Sequence, residues 1–137
     1  MTRDPAQYPS NPEQRESKVE AWKMFDRIAG RYDFLNRFLS AGQDIAWRKK
    51  VADYLPVKNN IELLDLATGT GDQILFLMNT TGQIHSAVGM DLSKNMLEIG
   101  KKKVAKLNLS EKVDLRTGDA TEIPAEDNSF DVVTISF

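Results

Sequence analysis

The sequence predicts an α/β fold, an open parallel sheet with helices packed on it, and three observations carry that prediction. The first is Leu63 to Asp72, LLDLATGTGD, where a short apolar run meets an acid, crosses a small-residue loop with two glycines and reaches a second acid. A continuous apolar run bounded by turn signals reads as a strand buried on both faces. The second is Ile84 to Asp91, IHSAVGMD, another apolar run that ends on an acid. The third is the alternation of strand-like and helix-like segments after residue 57, at intervals that build a parallel sheet.

Taken in order, Met1 to Arg15 holds three prolines and few apolar groups, which predicts a flexible tail over 1–15. Residues 16–56 predict a helical cap segment. Val19, Trp22, Phe25, Ile28 and Tyr32 recur at three- and four-residue steps, and Phe34, Leu35, Phe38 and Leu39 widen the same apolar face. Amphipathic helices bury such faces, so Trp22, Phe25 and Trp47 are expected to pack. A break at Ser40 to Gly42 precedes a helix from Asp44 to Leu55, stopped by Pro56. Lys58 to Asn60 forms the turn into the first strand. Residues 57–137 then form the α/β unit: the strand before the glycine loop, a helix from Asp72, the strand Ile84 to Asp91 and a helix over Lys94 to Lys106. Asp91 or Ser93 is placed to cap that second helix. A short strand, Lys112 to Thr117, leads to the turn Gly118-Asp119-Ala120. A last turn from Asp127 opens a buried strand that runs to Phe137.

Composition narrows the function classes. In 137 residues, 41% are hydrophobic and 28% charged, which describes a globular chain of at most one domain. A net charge of −2 with no basic stripe argues against nucleic acid as a partner. There is no cysteine, so disulfides and thiolate metal sites are excluded. His85 is the sole histidine; it reads as an ordinary surface residue at a strand start, and no metal site is expected. No run approaches the roughly 18 apolar residues of a membrane span and no signal peptide opens the chain, so the expected compartment is the cytoplasm.

The glycine loop is the candidate site. Gly69 and Gly71 let the backbone turn tightly and approach a ligand closely. The dinucleotide fingerprint needs a third glycine where this chain has Ile74, and the Lys-Ser/Thr of a phosphate loop is missing, so a nicotinamide-binding domain is disfavoured. Asp91, about 20 residues past the loop, fits an acid that takes both hydroxyls of a ribose. Leu92 and Met96 would line an adenine, Asp119 would accept its amino group, and Ala120 leaves room for the base.

The acid and small residues at every second position, Asp65, Ala67, Gly69 and Gly71, resemble motif I of class I S-adenosylmethionine methyltransferases, with Ala67 where many members carry glycine. The segment Tyr32 to Trp47, YDFLNRFLSAGQDIAW, closely resembles the N-terminal signature of the quinone-biosynthesis C-methyltransferases, the menaquinone and ubiquinone methyltransferase family. Tyr32, Asp33, Asn36, Ser40, Gly42 and Trp47 stand at its spacing, while Asp44 replaces the usual histidine. The likeness continues through LDLATGTGD, GMDLSKNML, GDATEIP and FDVVTISF.

That resemblance implies a Rossmann-like sheet with S-adenosyl-L-methionine as cofactor. Its contacts would be Thr70 in the loop, Asp91 at the ribose, Asp119 and Ala120 at the adenine, and Ser136 after the fourth strand. Asp65 would orient the loop or meet the ammonium group through water. The reaction implied is methylation of a ring carbon of a reduced, polyprenylated quinone precursor, with Tyr32, Asp33 and Asp44 as candidates for assisting proton loss. The helix from Trp22 to Leu39 would cover the cofactor, admit the apolar substrate and touch the inner membrane face. The family's sheet continues past its fourth strand, so the sequence predicts a half-domain truncated there, with an exposed edge open to self-association. Two readings stay open: a quinone C-methyltransferase, or a catalytically inactive fragment that binds the cofactor.

Overall fold

Four parallel strands carry the architecture. In a computed structural model that describes residues 20, 23–31 and 43–136, they are β1 (Ile61–Leu66), β2 (Ile84–Asp91), β3 (Val113–Thr117) and β4 (Val132–Ile135). Their order across the sheet is β3-β2-β1-β4. The helices are α1, which holds residues 23–31, α2 (Gln43–Asp53), α3 (Asp72–Thr81) and α4 (Lys94–Lys106).

β1 is the central strand because its side chains suit two covered faces. Ile61, Leu63 and Leu64 are all but inaccessible, and the acid Asp65 beside them is equally buried. In a parallel sheet with helices on its faces, such strands read as continuous apolar runs. Leu63 pairs with Ala87 of β2 and Val132 of β4, and Asp91 at the end of β2 pairs with Thr117 at the end of β3. Ile74 and Leu77 of α3 and Leu97 and Val104 of α4 complete the core against the sheet. Each fully buried side chain of this kind contributes about 1.5–3 kcal/mol.

Helix boundaries follow local chemistry. α3 starts after Gly71, which lies in the left-handed region at φ 80°, and ends at Gly82 in the same region. α4 starts at Ser93, whose side-chain oxygen accepts from the Met96 amide at 3.2 Å. Lys103 and Lys106 in its last turn complement the helix dipole. Between Asp91 and Ser93, the serine is therefore the cap, and Asp91 takes the Ser93 amide instead at 2.9 Å.

Two elements differ from expectation. α2 ends at Asp53, two residues before Leu55, and Trp47 is 58% exposed, since the helix turns Val51 and Ala52 to the core and leaves Ile45 and Trp47 outside. Phe25 on α1 is also 38% exposed. The last strand is an edge: it pairs with β1 alone among the described residues, and Val133 and Ile135 are largely exposed. His85 is exposed, as expected. The tail over 1–15, Trp22, Tyr32, Asp33 and the break before α2 lie outside the described residues.

Candidate functional site

A parallel sheet brings all its strand carboxyl ends to one edge, and here every end carries a polar residue. Asp65 is the penultimate residue of β1, Asp91 the last of β2, Asp119 two residues past β3, and Ser136 the first after β4. The ladder continues into the loops: the Thr68 amide donates to the Met90 carbonyl at 2.9 Å, and the Gly118 amide to the Asp91 carbonyl at 3.1 Å. Ligands of open α/β sheets bind in this crevice.

Asp65 sits beneath the loop. Its carboxylate accepts from Thr68 Oγ1 at 2.7 Å and from Thr134 Oγ1 of β4 at 2.6 Å. Burial pushes its carboxyl above the ordinary value; the two threonine hydroxyls oppose that, the Asp91 charge adds to it, and the Arg48 charge opposes it. Asp65 thus joins β1, the loop and β4 in one polar cluster.

The loop itself runs through three left-handed residues, Ala67 (φ 53°), Gly69 (φ 58°) and Gly71 (φ 80°). Its Gly69 amide donates to Asp91 Oδ2 at 2.8 Å. Asp91 therefore ties the loop after β1 to the turn after β2, and a carboxylate with four acceptor positions still has capacity for ligand hydroxyls. Gly71, as the residue before α3, offers no side-chain cap to that helix, so the first-turn amides face the loop uncapped by a side chain.

Thr70 is 3% exposed and its hydroxyl accepts from Lys103 Nζ of α4 at 3.0 Å. Its side chain is thus engaged with α4, and its carbonyl packs on the same helix at Gly100. Met96 is also buried, at 2%, while Leu92 keeps 37% exposure, so of the two residues expected beside an adenine Leu92 offers the surface. Asp119 is half-buried and accepts from the Thr121 amide and hydroxyl, and Ala120 next to it is exposed. Ser136 is exposed beside the end of β1. Of the expected proton acceptors, Tyr32 and Asp33 lie outside the described residues. Asp44 pairs with Arg48 Nη1 at 2.9 Å, one turn along α2.

The structure adds residues that sequence reasoning passed over. Arg48 Nη2 stands 3.7 Å from Asp72, the first residue of α3, and Lys103 Nζ reaches the same carboxylate at 2.8 Å. Asp26 of α1 binds the start of α4, accepting from Ser93 Oγ at 2.9 Å, the Asn95 amide at 3.0 Å and Asn95 Nδ2 at 2.7 Å. α1 is thereby docked beside the Asp91 turn. The Asp44–Arg48 spacing of four was a legible signal; the Asp26 and Lys103 contacts bridge distant segments and left none. Among the described residues there is no cluster able to hold a metal ion.

The sheet order, the glycine loop and the row of acids define a Rossmann-like fold of the class I S-adenosyl-L-methionine methyltransferases. Solved structures agree. A chain from Methanococcus maripaludis put forward as an S-adenosyl-L-methionine-dependent methyltransferase aligns with a TM-score of 0.67 at 24% identity, over 80% of this chain and 49% of that one. A methyltransferase from Thiobacillus denitrificans, solved with S-adenosyl-L-homocysteine, aligns at 0.55 and 24% identity, over 64% and 35%. Within that class the sequence is decisive: residues 12–137 match the ubiE/COQ5 methyltransferase family, and the chain belongs to it. Demethylmenaquinone methyltransferase of Staphylococcus aureus strain MRSA252 is 42% identical over 121 residues, or 88% of this chain and 49% of that protein; the strain Newman protein gives the same figures. The chain spans about half the length of the curated relatives it matches.

Proposed function

We propose that this chain forms the cofactor-binding half of a C-methyltransferase of menaquinone biosynthesis, which methylates the ring carbon of a polyprenylated demethylmenaquinol or a related benzoquinol. The observation that carries the reading is the row of acids along one sheet edge, with Asp91 at the end of β2 holding the glycine loop by the Gly69 amide. The donor and acceptor set suits S-adenosyl-L-methionine. Asp91 accepts the ribose hydroxyls, Leu92 and Ala120 border the base, and Asp119 accepts its amino group. Asp65, Thr70 and Ser136 serve the amino-acid end, with Gly69 and Gly71 shaping the loop against it. Met96 supports Leu92 from the core.

The bound cofactor supplies an electrophilic methyl group on a sulfonium. The protein's work is to hold a ring carbon in line with it, mainly a positioning effect. Tyr32 and Asp33 are the candidates for helping a ring hydroxyl lose its proton. Asp44, tied to Arg48, acts through that residue. A prenylated substrate partitions into lipid, and the exposed Ile45, Trp47 and Tyr54 on and after α2 support peripheral contact with a membrane from the cytoplasmic side. No helix among the described residues is long and apolar enough to cross one. The exposed Val133 and Ile135 of β4 support a second reading, a cofactor-binding chain that turns over only when its edge is paired with another copy or another segment.

Calorimetric titration with S-adenosyl-L-homocysteine tests the site. Wild type should bind saturably, and Asp91→Ala should bind at least about 10-fold more weakly, the scale of lost hydrogen bonds to a charged acceptor. A folded wild-type chain that ignores the ligand would falsify the assignment. Methyl transfer to a demethylmenaquinol by the purified chain then separates the first reading from the second.

A further inference from the structure

We infer that Arg48 is the residue that binds the α-carboxylate of the cofactor's methionine end, so that α2 is held in place by the cofactor itself. The inference rests on the proposed S-adenosyl-L-methionine site and names a contact within it. Arg48 lies against the exit of the glycine loop: its Nη2 is 3.7 Å from Asp72, the residue after Gly71. That separation is a Coulombic contact, beyond hydrogen-bond length. Its one hydrogen bond among the described residues goes to Asp44, at 2.9 Å. A guanidinium has five N–H donors in a planar fork matched to a carboxylate, so most of this one's donor capacity is unused.

Asp72 does not need it. Lys103 already gives Asp72 a hydrogen bond at 2.8 Å from the α4 side. The Arg48 side chain is 17% exposed, mostly desolvated but still open to a ligand. Its charge is felt at Asp65, before the loop, as well as at Asp72 after it. α3 also starts beside Arg48 with no side-chain cap at Gly71, and an uncapped helix N-terminus favours an anion. An amino acid presents an ammonium and a carboxylate on one carbon, and this loop presents a buried carboxylate and a half-satisfied guanidinium. The two pairs are complementary.

A thermodynamic cycle tests the contact, using S-adenosyl-L-homocysteine and its decarboxylated analogue on wild type and on the substitutions Arg48→Met and Arg48→Lys. Wild type should prefer the carboxylate-bearing ligand by about 10- to 100-fold, as a charge-assisted, two-pronged pair implies. Arg48→Met should erase that preference while it leaves the decarboxylated ligand's affinity nearly unchanged. Arg48→Lys, which keeps the charge toward Asp44 and Asp72 but loses the fork, should reduce the preference in part. An undiminished preference in Arg48→Lys and Arg48→Met overturns the assignment. Should Arg48→Met fail to fold, an unchanged preference in Arg48→Lys alone overturns it. A wild-type chain that binds neither ligand overturns the cofactor site, and the Arg48 contact with it; a wild type that binds both equally overturns only the contact.

Discussion

Ala67 is the residue where sequence and backbone pull hardest against each other. It sits at φ 53°, a region that costs an L-residue with a Cβ roughly 1–2 kcal/mol. Glycine there would lift that strain, though it would give back about 0.4–1 kcal/mol of unfolded-chain entropy. The strain is the larger quantity, so Ala67→Gly should stabilise the chain by about 0.5–1 kcal/mol, measured as a rise in the denaturant midpoint with an unchanged slope. At this scale the sequence was legible where a residue's position in the fold is fixed by its place in the chain. Asp65, Gly69, Gly71 and Asp91 all stand at strand ends or in the loop, as the spacing required. It was less legible where direction matters. A residue number does not reveal that Thr70 turns its hydroxyl to Lys103, or that Met96 faces the core while Leu92 faces out, because those choices are made by α4 packing on the sheet.

α4 shows how an element can be read almost entirely from local chemistry and still hold a long-range secret. Its bounds, Lys94 to Lys106, follow from a serine cap and a periodic apolar face. α2 was placed less well because its apolar residues do not gather on one side, and the packing of Val51 and Ala52 decided its orientation. Gly100, in the middle of α4, should weaken that helix by about 1 kcal/mol relative to alanine. The fold explains it. A Cβ at Gly100 would stand 2.8 Å from the Thr70 carbonyl oxygen and 2.7 Å from Leu115 Cδ1. The leucine can rotate; the loop backbone cannot yield without moving the site. Overpacking of this sort costs typically 1–3 kcal/mol, more than the propensity gained. Gly100→Ala should thus lower stability by about 1–2 kcal/mol in a chemical melt and weaken S-adenosyl-L-homocysteine binding, since Thr70 belongs to the loop. A stabilised variant with full affinity would mean that α4 stands off the loop.

For the whole molecule, two aspartates at opposite ends of β1 set opposite responses to acid, and their difference separates folding from binding. Asp131 donates its own amide to the Glu62 carbonyl and accepts the Glu62 amide at 2.9 Å. That hydrogen bond, with the Lys58 ion pair, holds its carboxyl below the ordinary 3.8. Its stabilising contribution is therefore present above pH 3.8 and lost as the pH falls through its lowered value. Asp65 behaves in reverse. Burial raises its carboxyl above 3.8, so between 3.8 and the raised value the folded chain binds the proton that the unfolded chain has already released. Over that window Asp65 makes the fold more stable as pH falls, and above it the cost of the buried charge is constant. Denaturant melts across the acid range should show this gain in wild type and not in Asp65→Asn, which removes the ionisation but keeps an oxygen for one threonine and an amide for the other. Cofactor binding should run the other way. If Asp65 serves the ligand's ammonium, the charged carboxylate is the binding form, and affinity for S-adenosyl-L-homocysteine should rise with pH through the same window in which Asp65 makes the fold less stable. Calorimetry in buffers of different ionisation enthalpy would register a proton released on binding near the raised value, absent in Asp65→Asn. A fold that carries its carboxylate at a cost and recovers that cost only when a cation arrives is what a binding site, as opposed to a structural one, requires of Asp65.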